Sequence, residues 1–405
     1  MDRKKDFNSC FLAFYLNWGI IIGILKGIFV TMLECDDVYF VYVARGLYIS
    51  LLFIIAVLGF QRTAKGIKYI VSLFFIWLFL YGVTLLLLPE ILNIAPKTLF
   101  YTVNNVLAVI FIFLQIETIE NLEKGLIRYI PLGVVYSVVQ WIEFSKTGLY
   151  SMEFSYSTII LALLSLSLFI YKNEKKYGVV FLIFFIVNLR TGSRGSLLCY
   201  VVFSLLLILL ADSRKKSFML LNVITLLGTI FYMSFQKIFE WLYSVFPESR
   251  TIKLFAEGEI FYLSGRENYY RFIIGEIKEA PLRFRGLYSD RIYLAKYFGT
   301  VDTSQIYGSY AHNFFLEIMF QFGLLAGIIL LTICIICVIK CIHIVKRSEN
   351  ISLKCVYIVF ASYCIGQLMV SNSYLTALSF GIYFGMTILL LNRGNCKNIN
   401  KKNIV

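Results

Sequence analysis

The chain has 405 residues, 59% hydrophobic and only 15% charged, with a mean hydropathy of +0.78. That leaves too little charge to cover a soluble domain of this size. The apolar runs are long and do not alternate, which excludes a membrane β-barrel and leaves α-helices, whose backbones satisfy their own hydrogen bonds in lipid. The net charge of +14 raises nucleic acid as a partner, but the positions of the basic residues exclude it.

Met1 to Ser9 is basic and precedes an apolar run that continues to Met32, too long for a signal-peptide core and without its cleavage site. We read it as a first, uncleaved span. Further spans are predicted near 38–60, 69–88, 99–116, 129–144, 156–171, 177–189, 195–211, 218–235, 314–339, 355–372 and 375–391. The chain thus crosses the bilayer about twelve times, since each run is long enough for about 30 Å of hydrocarbon. Alternate connections carry most of the lysine and arginine: Arg3 to Lys5, Arg62 to Lys68, Lys124 and Arg128, Lys172 to Lys176, Arg214 to Lys216, Lys340 to Lys354, and Arg393 to Lys402. The positive-inside rule puts both termini in the cytoplasm. The positive balance is mainly a topology signal.

This topology leaves residues 236–311 as one large loop outside, between the ninth and tenth spans. The loop is rich in tyrosine and basic residues. Headgroup contact is one account of those charges, and an anionic ligand such as a lipid-linked phosphate is the other. Tyrosines suit a sugar, since each offers a flat apolar face and a hydroxyl. No internal repeat is visible, so residues 1–405 read as one membrane domain. Cysteines such as Cys334, Cys337 and Cys341 read as small packing residues. Candidate metal ligands are sparse: Asp36, Asp37, Asp290 and Asp302 are scattered, so a chemistry without metal or other cofactor is expected.

Three segments depart from a plain scaffold. The first, Asn188-Leu-Arg-Thr-Gly-Ser-Arg-Gly195, places Arg190 and Arg194 at membrane depth, where charge is costly. Gly192 and Gly195 permit a tight turn before a helix start that favours an anion, and a guanidinium fits phosphate oxygens in pairs. Two arginines snorkelling to the interface are the alternative. The second, Ser264 to Ala280, opens with a capping box, Ser264 and Glu267, and ends at Pro281. It predicts a loop helix with an apolar stripe of Tyr270, Ile273, Ile274 and Ile277. Arg266 falls in its first turn, where a cation opposes the helix dipole. A bound anion would remove that conflict; a solvated surface arginine is the alternative. The third, Ala311-His-Asn-Phe-Phe-Leu-Glu317, carries His312 at the entry to the tenth span, a group suited to proton transfer. Glu317 needs a partner there and is expected to orient Asn313. The other histidine, His343, lies among cytoplasmic basic residues.

These motifs together resemble the O-antigen ligase and O-antigen polymerase superfamily: Thr-Gly-Ser-Arg-Gly at 191–195, Ser-Gly-Arg at 264–266 with Ala-Pro-Leu at 280–282, and Ala-His-Asn-Phe-Phe-Leu-Glu at 311–317 with Gln-Phe-Gly at 321–323. Their order also fits, over about residues 185–330. The resemblance implies an all-α, polytopic, metal-independent membrane glycosyltransferase fold in a bacterial inner membrane. It implies a glycan donor on undecaprenyl diphosphate, a glycan acceptor, and contact with membrane lipid; it also admits a chain-length regulator protein. The phosphate-binding arginines would be Arg194 and Arg266, with Arg190 as an alternative to the first, and the essential histidine His312. Asn313, Glu317, Tyr269 and Tyr270 stand beside them as substrate-binding candidates. The family commonly shows Gly-x-Gly after the proline, whereas here Pro281 is followed by Leu-Arg-Phe-Arg-Gly286. The polymerase branch is favoured, with ligase as the alternative. An anionic-lipid transporter or an assembly scaffold are the competing classes; a transporter would show repeated halves or broken helices at mid-membrane.

Overall fold

The computed structural model describes residues 2–32, 64–116, 118–148, 151–211, 213–259 and 266–402. The described residues form helices and turns, without strands. The expected span at 38–60, Asp36, Asp37 and the capping residue Ser264 lie outside the described residues. Every other expected span falls on a helix or a run of consecutive helices. Among the described residues, six helices are long and apolar enough to cross a membrane, or up to seven if the bent pair Phe7–Leu16 and Trp18–Phe29 counts as one span. Shorter apolar helices at Arg194–Leu209 and Leu378–Asn392 add to these. The chain is a polytopic all-α membrane protein.

Two boundaries differ from expectation. The Arg214–Val245 helix has 32 residues, about 48 Å at 1.5 Å per residue, more than the hydrocarbon needs. It therefore continues ten residues beyond the expected start of the outer connection. The expected span at 314–339 is instead two helices, Phe314–Phe322 and Leu324–Lys346. The break is Gly323, at φ 80°. A Cβ there would sit 3.1 Å from the Leu282 carbonyl, and the N–H of Leu324 donates to the Pro281 carbonyl. The segment after the loop helix thus docks onto the freed backbone and interrupts the span.

The chain divides into two compact units. The first comprises Met1–Ile54, Ile116–Tyr262 and Val345–Gly366. Within it the Met152–Lys172 helix is largely enclosed, with Ile159 to Leu164 buried. Lipid gives helices no hydrophobic reason to associate, so close approach at small residues matters. Gly125 lies against Ala13 and Ser9, and Gly366 against the backbone of Cys199. Polar groups add directional ties. Glu123, 1% exposed, accepts from Lys172 Nζ at 2.7 Å and from Ser352 Oγ at 2.6 Å.

The second unit comprises Ile55–Gln115, Leu263–Ile344 and Gln367–Val405. The Ala64–Leu87 and Leu324–Lys346 helices leave most of their apolar surface bare, as at Phe75, Phe79, Leu86 and Ile329. Such faces suit lipid and would be a liability in water. The segment between the Arg266–Glu279 and Ser289–Tyr297 helices is stitched to the spans of this unit. The N–H of Leu287 donates to Thr84 Oγ1 at 2.8 Å, and the buried Tyr288 hydroxyl bonds Thr102 Oγ1. Residues 102–108 are π-helical, and that stretch sends Asn105 Nδ2 to the Thr376 carbonyl at 2.9 Å. The Pro281–Gly286 turn closes without the usual glycine pair. Gln321 O accepts the N–H groups of both Arg285 and Gly286, and Gly286 takes φ 93° against the Thr84 side chain.

Gly286→Ala meets both the left-handed backbone and Thr84, so it should cost about 2–5 kcal/mol in all. Gly299→Ala, at φ 67° with open space around it, should lose only the backbone part, about 1–2 kcal/mol. Thermal unfolding of the two variants in detergent checks the difference.

Candidate functional site

In the first unit the arginine motif forms a turn between the Lys175–Thr191 and Arg194–Leu209 helices. Gly192 is required there, because a Cβ would strike Asn188 and Ser155 Oγ. Ser155 Oγ accepts the N–H of Ser193 at 2.7 Å, and Thr251 Oγ1 donates to the Gly192 carbonyl at 2.9 Å. The short Arg250–Ala256 helix thereby pins the turn from outside. The two arginines do different things. Arg190 is buried: its Nη2 binds Glu248 Oε1 at 2.8 Å and Ser145 Oγ at 3.2 Å, and its guanidinium stacks 3.9 Å from the Trp141 ring. A guanidinium so engaged holds the turn together. Arg194 stands at the first position of the next helix and donates to the Glu259 carbonyl at 3.2 Å.

The second unit brings the other two motifs together. The Arg266–Glu279 helix forms as expected from its first described residue. Its buried stripe, however, is Tyr269, Phe272, Ile273 and Ile277, packed on Leu294, Ala311 and Phe320. Ile274 is 40% exposed, so the face is rotated from the expected Tyr270–Ile274 stripe. The cause is a two-sided contact with the Ser289–Tyr297 and Phe314–Phe322 helices. Tyr269 lies 4.9 Å from the Phe298 ring and 6.1 Å from the His312 ring. Tyr270 is half-buried, and burial raises its hydroxyl pKa.

The Ile351–Val370 helix ends at this site. The last carbonyls of a helix lack partners within it and carry its negative dipole end. Here they receive donors from all sides. Arg266 Nη1 donates to the Val370 carbonyl. His312 Nδ1 lies 3.3 Å from the Ser371 carbonyl, which also accepts the Tyr310 hydroxyl. Asn313 Nδ2 donates to Met369 O at 3.4 Å. The expected conflict of Arg266 with its own helix dipole is offset by the opposite pole of another helix.

His312 is held in the left-handed region, at φ 50°, with its ring 3.9 Å from that of Tyr310. A carbonyl only accepts, so Nδ1 carries the hydrogen and Nε2 keeps its lone pair. Burial, then the cation of Arg266, lower the His312 pKa to about 3, with Arg291 adding to the effect and the Ser371 carbonyl opposing it. The imidazole is neutral across the physiological range.

Asn313 caps the Phe314–Phe322 helix through its side chain, which accepts from the N–H of Leu316 at 3.1 Å. Glu317 does not orient it. The Glu317 carboxylate is fully enclosed and turns to Ser373 Oγ and, at 3.4 Å, to Gln321 Nε2. Three groups escaped the sequence reading: Tyr310, Arg291 and the 369–371 carbonyls. Arg291 is 1% exposed and stacks 4.5 Å from the Tyr307 ring and 4.8 Å from the Tyr310 ring. The Ser371-Asn-Ser373 break between the last two spans was the visible signal, polar residues where a tight apolar turn would serve.

A histidine with a lowered folded pKa binds its proton mainly after unfolding. Stability should therefore fall as pH drops below the unfolded value of about 6.5 and continue to fall toward 3, by at most about 1.4 kcal/mol per pH unit. His312→Gln should flatten this acid limb, as read by thermal unfolding in detergent between pH 7 and pH 4. An unchanged limb would mean that His312 titrates normally.

Residues 179–331 match the protein family described as O-antigen ligase. No curated protein and no solved structure matches the chain. The matched segment holds both arginines of the turn, the Arg266 helix and the His312–Gly323 run. This match covers the segment that carries the three motifs and supports their resemblance to the O-antigen ligase and O-antigen polymerase superfamily.

Proposed function

We propose that the protein is a polysaccharide polymerase of the bacterial inner membrane. It joins undecaprenyl-diphosphate-linked oligosaccharide repeat units on the periplasmic face, with both termini in the cytoplasm. The observation that carries this reading is the pairing of a cation and a neutral imidazole on adjacent carbonyls, Arg266 on Val370 and His312 on Ser371. A guanidinium has five N–H donors, so others can meet phosphate oxygens in pairs.

In this reading the sugar C1–O bond to the diphosphate breaks and the acceptor hydroxyl oxygen bonds to C1. Charge builds on the departing diphosphate, and Arg266 stabilises it there. His312 Nε2 takes the hydroxyl proton. With a pKa of about 3, free His312 is a weak base, so the proton leaves late, after the bond to the diphosphate has loosened. The donor's negative charge counters that of Arg266 and raises the proton affinity of His312 when the donor is bound. Arg194 is proposed as a second phosphate ligand, with Arg190 as its structural neighbour. Tyr269 offers a ring face and Tyr270 a hydroxyl for sugar. A second reading, transfer of the finished glycan to lipid A-core, is favoured by the description of the matched family.

Arg266→Ala and His312→Ala should each abolish long-chain glycan while the protein stays at normal level in the membrane. Arg194→Ala should do the same, and Arg190→Ala should lower the protein level instead. The glycan left behind separates the readings. Loss of a polymerase leaves single repeat units on the acceptor, whereas loss of a ligase leaves long glycan on the lipid carrier and a bare core. Normal chain-length ladders in both the Arg266 and His312 variants would overturn the enzymatic reading.

A further inference from the structure

Asp290 stands in the first turn of the Ser289–Tyr297 helix and is fully buried. Sequence alone offered it only as a weak metal ligand, but both of its oxygens are in use. Oδ2 accepts the backbone N–H of Ala311 at 3.0 Å, and Oδ1 accepts Gln321 Nε2 at 3.0 Å. The Gln321 amide cannot turn round without loss, because its Oε1 accepts the Tyr374 hydroxyl at 2.7 Å. Its Nε2 also faces Glu317 Oε1. The chain of bonds therefore has a direction: Tyr374 donates to Gln321, Gln321 to Asp290, and Ala311 to Asp290 from the other side.

Ala311 is the residue before His312, and His312 holds φ 50°, a conformation uncommon in residues other than glycine. Such a conformation persists only where the surroundings over-determine it. The grip on Ala311 fixes one side of that residue, and the Asn313 cap on the Phe314–Phe322 helix fixes the other. We infer that Asp290 is a positioning residue for His312: by holding the Ala311 N–H it sets the backbone from which the imidazole reaches the Ser371 carbonyl, with Nε2 left unprotonated. The inference rests on the reading of His312 as the group that meets the acceptor hydroxyl.

Asp290→Asn puts an amide donor against Gln321 Nε2 or against the Ala311 N–H. Pairing it with Gln321→Glu restores a donor–acceptor match with that bond reversed: the amide introduced at position 290 would donate to a carboxylate at 321, which still accepts from Tyr374, and Glu317 keeps Ser373 as its donor. The full-length protein is used in detergent, with His343→Gln so that His312 is the one histidine left of two. Labelling with 15N-histidine then reads its tautomer directly, without substrate.

With Asp290 intact, a single neutral Nδ1–H signal should persist from pH 8 to pH 5. In Asp290→Asn the signal should become a tautomer mixture that titrates toward the ordinary value of about 6.5. The paired exchange should bring the original signal back. Turnover by Asp290→Asn should fall about 100-fold, the scale of a small misplacement, with KM for the lipid-linked donor within about threefold. An unchanged His312 signal in folded Asp290→Asn overturns the inference. If that variant does not fold, the paired exchange decides alone: a native signal supports the inference and a disordered one overturns it. A His312 signal that follows Asp290 in a protein without glycosyl transfer would sink the functional reading and leave the positioning intact.

Discussion

A helix that ends among other helices leaves its last carbonyls without partners, and something must bond them. At the end of the Ile351–Val370 helix this need is met by the side chains of Arg266, His312, Tyr310 and Asn313. Arg266 stands on the loop helix, whereas Tyr310, His312 and Asn313 lie within four residues of one another where the chain enters the Phe314–Phe322 helix. Each is drawn to the same three carbonyls by the same requirement. The site therefore comes with the fold, because leaving those carbonyls bare would cost more than bringing the donors in. The same contacts restrain a loop helix and a broken span that little else in the membrane would orient.

The loop owes its order to bonds of the same kind made elsewhere. Leu287 on Thr84, Tyr288 on Thr102 and Arg285 with Gly286 on Gln321 tie an outer, polar segment to helices of its own unit. Gln321 is used three ways at once, through its carbonyl, its amide oxygen and its amide nitrogen. Hydrogen bonds inside such a low-dielectric core polarise one another. At Asp290 burial outweighs the opposing pull of Arg291 and of the bonds from Ala311 and Gln321, so its carboxyl pKa lies above the usual carboxylate value.

The sequence displays the spans because long apolar runs carry their own signal. The three motifs were legible because each broke a local rule: arginine in lipid, a cation at a helix start, histidine at an interface. The second unit's assembly was not legible. The polar Ser371-Asn-Ser373 break hints at a site there, but the 369–371 carbonyls themselves have no letter in the sequence. The stripe on the Arg266 helix was misplaced by one position because period alone cannot say which side faces two neighbours. Gly323 looked like part of a continuous span, although its left-handed backbone and the docking of Leu282 break the helix there. Arg190 and Arg194 looked equivalent, and only Glu248 with Trp141 separates them.

The charge arrangement around His312 then has a consequence for order of events. Arg266 and Arg291 both lower its proton affinity, and no carboxylate adds to it among the groups that perturb it. A neutral imidazole beside cations cannot remove a proton early from a sugar hydroxyl. It becomes a better base only when negative charge arrives nearby, and the proposed donor brings that charge on its diphosphate. As the C1–O bond lengthens, more charge moves onto the phosphate side, and the same field strengthens the pull of Nε2 on the hydroxyl proton. In the proposed reaction, acid–base action and leaving-group stabilisation would thus be coupled through one pair of residues, held by one helix end. On the proposed function, the imidazole would stay a poor base without donor, so the acceptor would not be activated before the sugar to be transferred is in place.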